Sequence, residues 1–363
     1  MSSFFHSSVT EPFDPSSLKT EVKNATVGLL VDMLKNDVID LNPEFQRSRD
    51  LWNASKKSQL IESILMGLPL PSFYFYIDET RKKWVVIDGL QRLCSFKSFL
   101  VDKILRLQGL DFLDKERYGR FFDEFDYFDQ LAITMHPVTL NILSGDPSAK
   151  ARYIIFKRVN SSGTQLTSTE MRNALYQGPA TALIKRMVGN NTFIELVSSQ
   201  IGTDRMKDKE FVSRFLLFYL KSYNEYDGHL DTAICEILDY INKELPSDIQ
   251  EKVYSAFDKS LEICKFLLGK NAFRKPENEK GVHRKNAVSL TIFEMLSVTI
   301  ARMDDSDLQI LRRKKNEFVA LYEKVFLDKE LQRYIAGGTS KIPAIRYRFK
   351  KIDDVMVRIT KAQ

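Results

Sequence analysis

The sequence predicts an α+β protein in two parts: a small sheet with flanking helices in the first half, followed by a mostly helical second half. Three observations carry this. Residues 73–77 and 84–87 are short runs rich in aromatic and β-branched side chains, each bounded by turn chemistry, as buried strands should be. Apolar residues recur at helical spacing over 27–35, over 55–66 and again after Gly89. From Pro179 onward only the helical period is visible, in segments near 180–189, 192–200, 208–223, 230–243, 247–268, 286–303, 305–326 and 342–359.

Taken in order, residues 1–24 form a leader, with Pro12, Pro15, Ser16 and Ser17 reading as irregular chain. Two units follow, over 25–180 and 181–363, in keeping with a length of 363 residues. The segment 41–47 is extended at Pro43 and then polar. The helix after Trp52 puts Leu60, Ile61, Ile64 and Leu65 on one face. Gly67-Leu68-Pro69-Leu70-Pro71 turns the chain into the first strand, and a polar hairpin at 78–83 leads into the second. Phe121, Phe122, Phe125, Tyr127 and Phe128 read as the core side of a short helix. Residues 133–142 alternate as a further strand, which Pro137 demotes to an edge or a bulge. Asp146-Pro147 opens a helix through Tyr153 and Phe156, and a small polar loop at 157–166 follows it. Thr167-Ser168-Thr169-Glu170 is a capping box for the next helix, which ends near Gly178. The polar, basic stretch 270–285 is the longest loop.

Composition narrows the class. The chain is 44% hydrophobic and 28% charged, and none of its apolar runs approaches a membrane span. The N-terminus lacks the charged-then-apolar layout of a secretory signal, so the expected location is cytoplasmic. A net charge of +6, spread over 54 basic and 48 acidic residues, permits DNA as a partner without requiring it. Cys94, Cys235 and Cys264 are far apart and suit neither a disulfide framework nor a zinc site; they read as reduced core thiols.

The stretch around which the chain is organised is the corner Ile87-Asp88-Gly89-Leu90-Gln91-Arg92, where a buried strand turns into a helix. A helix start presents unpaired N–H groups and partial positive charge, so a cation in its first turn runs against the dipole. A phosphate or carboxylate bound by Arg92 and the amides would explain that placement. Gly89 would let the backbone approach the ligand, while Asp88 would accept from a ribose hydroxyl, orient Arg92 or hold Mg²⁺. An Asp–Arg pair that merely ties the turn explains the pattern equally well.

Assembled in order, Pro43-x-Phe45-Gln46-Arg47 with Trp52, Glu62-Ser63-Ile64-Leu65-x-Gly67-x-Pro69-x-Pro71, Ile87-Asp88-Gly89-x-Gln91-Arg92, and Phe156-x-Arg158-x-Asn160-x-x-Gly163-x-x-Leu166 with Glu170 resemble the N-terminal domain of GmrSD-type, modification-dependent restriction systems. That family is marked by an Asp-Gly-Gln-Gln-Arg motif and is similar to the ParB/sulfiredoxin-like fold, which implies a small mixed sheet. The resemblance spans about 25–180. It implies binding of a nucleoside triphosphate with Mg²⁺, and in several members its hydrolysis, coupled to action on foreign or modified DNA. Carried over by position, Asp88, Gln91 and Arg92 would be catalytic. Gln46, Arg47, Gly89, Arg92, Asn160 and Gly163 would surround the nucleotide, and Asp88 would hold the metal.

Two departures shape the expectation. Leu90 stands where the family usually has Gln, and it also excludes the cysteine chemistry of sulfiredoxin-like relatives. Many relatives carry a fused His-Asn-His nuclease, whereas the histidines here are only His6, His136, His229 and His283; His283-Arg284-Lys285-Asn286 reads as a basic loop suited to DNA. The chain therefore reads as a stand-alone sensor or regulatory subunit working with a separate nuclease. A non-hydrolysing module that uses nucleotide as a switch is the alternative, motivated by the basic run at 312–315 and the loop at 270–285. A ParB-like DNase comes third, because the motif offers a single carboxylate.

Overall fold

The computed structural model describes residues 18–41, 52–79, 81–113, 117–145, 148–159, 166–202, 204–276 and 287–361. They form two compact units, divided between Leu175 and Tyr176. Among the described residues no helix is long and apolar enough to cross a membrane.

The first unit is α+β. Its strands are β1 (Leu18–Thr26), β2 (Ile39–Asp40), β3 (Phe73–Asp78), β4 (Lys83–Asp88) and β5 (Pro137–Gly145). They form one mixed sheet in the order β1-β5-β3-β4-β2, with β1/β5 and β3/β4 antiparallel and β5/β3 and β4/β2 parallel. Helices α1 (Val27–Lys35), α2 (Ala54–Leu65), α3 (Leu90–Phe96) and α4 (Tyr127–Met135) share a core with one face of that sheet. Phe73, Phe75 and Val86 meet Leu30, Ile61, Leu93, Phe96 and Ile133 there. Their strand neighbours point the other way, as the period of two demands, and Tyr76 packs edge-on against Phe156 of α5 (Ala149–Val159). Next comes α6 (Ser168–Leu175), whose capping box forms as expected: Thr167 Oγ1 accepts from the Glu170 N–H, and the Glu170 carboxylate accepts from the Thr167 N–H at 2.6 Å.

Three expectations need correction. Strand β1 begins at Leu18, inside the stretch read as leader. Its residues are exposed on both faces, so it carries no alternation to betray it. Strand β5 lies inside the sheet and is no edge. Pro137 is tolerated because it is the first strand residue, opposite the last residue of β1. The aromatic stretch is split: Phe125 is buried and Phe122 stacks edge-on against Phe99, but Tyr127 and Phe128 are 70% and 79% exposed.

The second unit is helical. It runs through α7 (Pro179–Val188), a helical stretch over 191–201 containing a π turn, α8 (Lys207–Leu220), α9 (Leu230–Lys243), α10 (Ser247–Leu268), α11 (Leu290–Ala301), α12 (Asp305–Arg313), α13 (Lys315–Val325), α14 (Lys329–Ala336) and α15 (Ile342–Lys361). Periodicity placed most of these. It merged α12 with α13, which break at Lys314, and missed the short α14. Helix α11 is buried almost all round, and its Phe293 sits among Phe193, Phe211 and Phe273.

Candidate functional site: the corner after β4

Strand β4 is apolar through Val85, Val86 and Ile87 and ends at Asp88. Its ladder with β3 shifts register at this end, so that Tyr74 opposes Asp88 while Phe75 opposes Val86. Such an irregularity re-aims the side chain that follows it. Gly89 then takes φ 103° and ψ 6° and starts α3 without a side-chain cap. Only glycine fits there, since a Cβ would lie 2.5 Å from the Phe73 ring. The first helical bond runs from the Leu93 N–H to the Gly89 carbonyl, so the amides of the first turn point outward from the helix start.

Arg92 lies in that turn and is only 8% exposed. One guanidinium nitrogen donates to the Pro71 carbonyl, and the other donates to the Ser72 carbonyl at 3.2 Å and to Asp88 Oδ2 at 3.1 Å. The group lies 4.3 Å over the Phe73 ring. A cation at the helix start is thus compensated from within the fold. Burial pushes the Asp88 carboxyl above the ordinary aspartate range, against the pull of Arg92 and of the Gly89 N–H. Burial also lowers Arg92, opposed by Asp88, although a guanidinium stays charged throughout. The corner is close to charge-neutral, so an incoming anion would meet helix amides beside a carboxylate already compensated.

A small, mostly apolar cleft opens at this end of the sheet, lined by Asp40, Leu41, Val85, Val86, Leu90, Leu166 and Ala174. Leu90, at the position where the motif differs, is one of its walls. Gln91 is partly buried in the same turn. Among the described residues no group of three or more His, Cys, Asp or Glu stands ready to hold a metal by itself.

The remaining predicted site residues, Gln46, Arg47, Asn160 and Gly163, lie outside the described residues, as does His283. Two described residues that flank these segments, Leu41 before Gln46 and Leu166 after Gly163, both line the cleft. Other motif positions serve the fold. Glu62, 3% exposed, accepts the N–H groups of Asp111, Phe112 and Leu113 and so fastens the loop after α3 onto α2. Burial raises its carboxyl, yet those three donors outweigh burial and leave it below the ordinary glutamate value. Pro71 and Ser72 supply the carbonyls that hold Arg92, a role their turn-forming sequence did not announce.

Residues 29–177 match the family model described as GmrSD restriction endonuclease, N-terminal domain. The chain carries a GmrSD N-terminal domain. The match takes in α1 through α6 and strands β2 to β5, and therefore the whole Asp88 corner and its cleft. No curated protein and no solved structure matches the chain. In this GmrSD N-terminal domain the marker motif is thus a strand-to-helix corner whose arginine faces inward.

Proposed function

We propose that this chain is the nucleotide-binding regulatory component of a DNA restriction system, binding and hydrolysing a nucleoside triphosphate at the Asp88 corner to govern cutting by a separate nuclease. The restriction setting rests on the GmrSD N-terminal domain at 29–177. The nucleotide reading rests on one observation: the cleft beside the uncapped start of α3 is bordered by Leu41 and Leu166, from which the chain runs on to both outlying motif segments. Gly163 is three residues from Leu166, a reach of at most about 11 Å, and Arg47 is six residues from Leu41.

In this reading the α3 amides take phosphate oxygens at the helix start, where Gly89 leaves room for close approach. Gln46, Arg47, Asn160 and Gly163 are the residues that the family resemblance assigns to the nucleotide, and Gln91 orients the attacking water. Arg92 is a positioning residue that holds Asp88 at 3.1 Å and ties the corner to Pro71 and Ser72. Asp88 offers one hard oxygen donor, which suits a Mg²⁺ shared with the phosphates, since that ion is ordinarily held by one or two carboxylates plus substrate oxygens. The ion would neutralise charge on the phosphoryl oxygens during transfer.

The test is calorimetric titration with ATP, GTP, CTP and UTP, with and without Mg²⁺, on the native chain and on Arg47→Ala. One nucleotide should bind the native chain, with affinity at least about tenfold lower in the variant, or about 1.4 kcal/mol. No binding by any of the four would end the nucleotide reading. A second reading, nucleotide as a switch without turnover, draws on the pairing of Asp88 with Arg92, which takes the carboxylate away from general-base duty. Phosphate release from the bound nucleotide separates the two.

A further inference from the structure

Strand β1 stands at one end of the sheet and, among the described residues, pairs on one side only, with β5, along its full nine residues. Residues 19–24 are exposed, so its outer edge presents backbone donors and acceptors to solvent. Long open edges of this kind are templates for a further strand. Here the side chains also select which strand.

We propose that this edge is a homodimer interface, in which β1 of one copy pairs antiparallel with β1 of a second copy about a two-fold axis at Val22. Val22 is the midpoint of Leu18–Thr26, so this register alone pairs all nine residues with no overhang. It sets Val22, 68% exposed, against its own copy. It also sets Glu21 against Lys23 of the second copy, twice by symmetry, where opposite charges directly across a strand pair stabilise it. Within one copy these two side chains already lie on the same face, 3.1 Å apart, so the dimer would hold a four-charge cluster of alternating sign. Centring the pair one residue earlier opposes Lys19 to Lys23, and one residue later opposes Lys23 to itself. The charges that protect a lone edge from indiscriminate pairing thereby permit one full-length register.

Exposed apolar side chains stand close in sequence to one end of the β1–β5 ladder. Leu29 and Met135, 49% and 61% exposed, follow and precede the Thr26–Pro137 pair that ends the β1–β5 ladder. Antiparallel pairing brings that end of one copy against Leu18 of the other, adding burial to a strand pair whose own area is small for a stable interface.

Light scattering on the full chain across concentrations up to about 100 µM should report twice the chain mass at the upper end. Glu21→Lys, which opposes lysine to lysine at two places, should return the chain to single mass. Combining it with Lys23→Glu should restore the doubled mass, because the swap recreates both cross-strand pairs. Far-UV spectra check that each variant is folded. In Val22→Cys, mild oxidation with glutathione should link two copies through position 22, whereas the native chain does not link. A native chain that stays single throughout, a doubled mass indifferent to Glu21→Lys, or a failure of the charge swap to restore it would each overturn the proposal.

Discussion

The two units each hold a buried arginine–carboxylate group, and the two groups differ in what surrounds them. At the corner after β4, Arg92 meets one carboxylate, two carbonyls and a ring, and Asp88 keeps a quarter of its side chain exposed. In the helical unit Glu294 is fully buried and lies between two arginines: Arg348 at 2.6 Å, also fully buried, and Arg214 at 3.2 Å. Arg214 reaches on to Glu210 at 3.1 Å, and Arg348 donates to the Tyr334 carbonyl at 3.1 Å. The helical cluster joins α8, α11, α14 and α15; its central Glu294 and Arg348 are sealed from solvent and only its Arg214–Glu210 end approaches it, so its work is to fix how those helices pack. The corner retains a wet side next to a cleft. A carboxylate buried completely between two arginines marks a structural group, while a partly exposed carboxylate beside a helix start leaves room for a ligand.

The largest expected effect comes from breaking the dry cluster. Glu294→Ala leaves Arg348 without its buried counter-charge and Arg214 with Glu210 alone, and should cost about 3–5 kcal/mol, read as a lower denaturation midpoint. At the corner, Arg92→Ala should cost less, about 2–3 kcal/mol, because Asp88 can turn to solvent, while the Pro71 and Ser72 carbonyls lose their donor. A variant as stable as the native chain that no longer binds nucleotide would instead show Arg92 acting on the ligand, and would erase the contrast between a structural and a ligand-facing cation.

The smallest effect is a pH dependence confined to the first unit. His136 is buried, its Nε2 has no partner, and burial lowers its pKa. A histidine whose folded value is depressed contributes stability that is whole above its unfolded value, about 6.5, and is lost as pH falls through the folded value. Melting temperature should therefore decline as pH drops below about 6.5, and His136→Gln should flatten that part of the profile. A profile unchanged by the substitution would mean that the imidazole gains a partner on protonation.

Helical periodicity located α1, α2, α3 and most of the second unit, because each buries one face and shows it in the spacing of its apolar residues. The capping box at Thr167 and the turn at Gly89 were equally plain, being local chemistry. The basic run at 312–315 was legible as charge but not as structure. Arg312 and Arg313 complement the C-terminal end of α12, Lys314 donates to the Ile359 carbonyl, and Lys315 lies over the Phe266 ring.

By itself, then, the sequence determined which segments are helix or buried strand, where the Asp88 corner falls and which family motif it belongs to. Tertiary structure decided what each motif residue touches. Arg92 meets carbonyls twenty and twenty-one positions away, Glu62 meets amides about fifty positions away, and Glu294 joins arginines 80 and 54 positions distant. Local periodicity records only which face of an element is dry. The partners on that face are chosen by sheet register and helix packing, which arise from many separated residues at once.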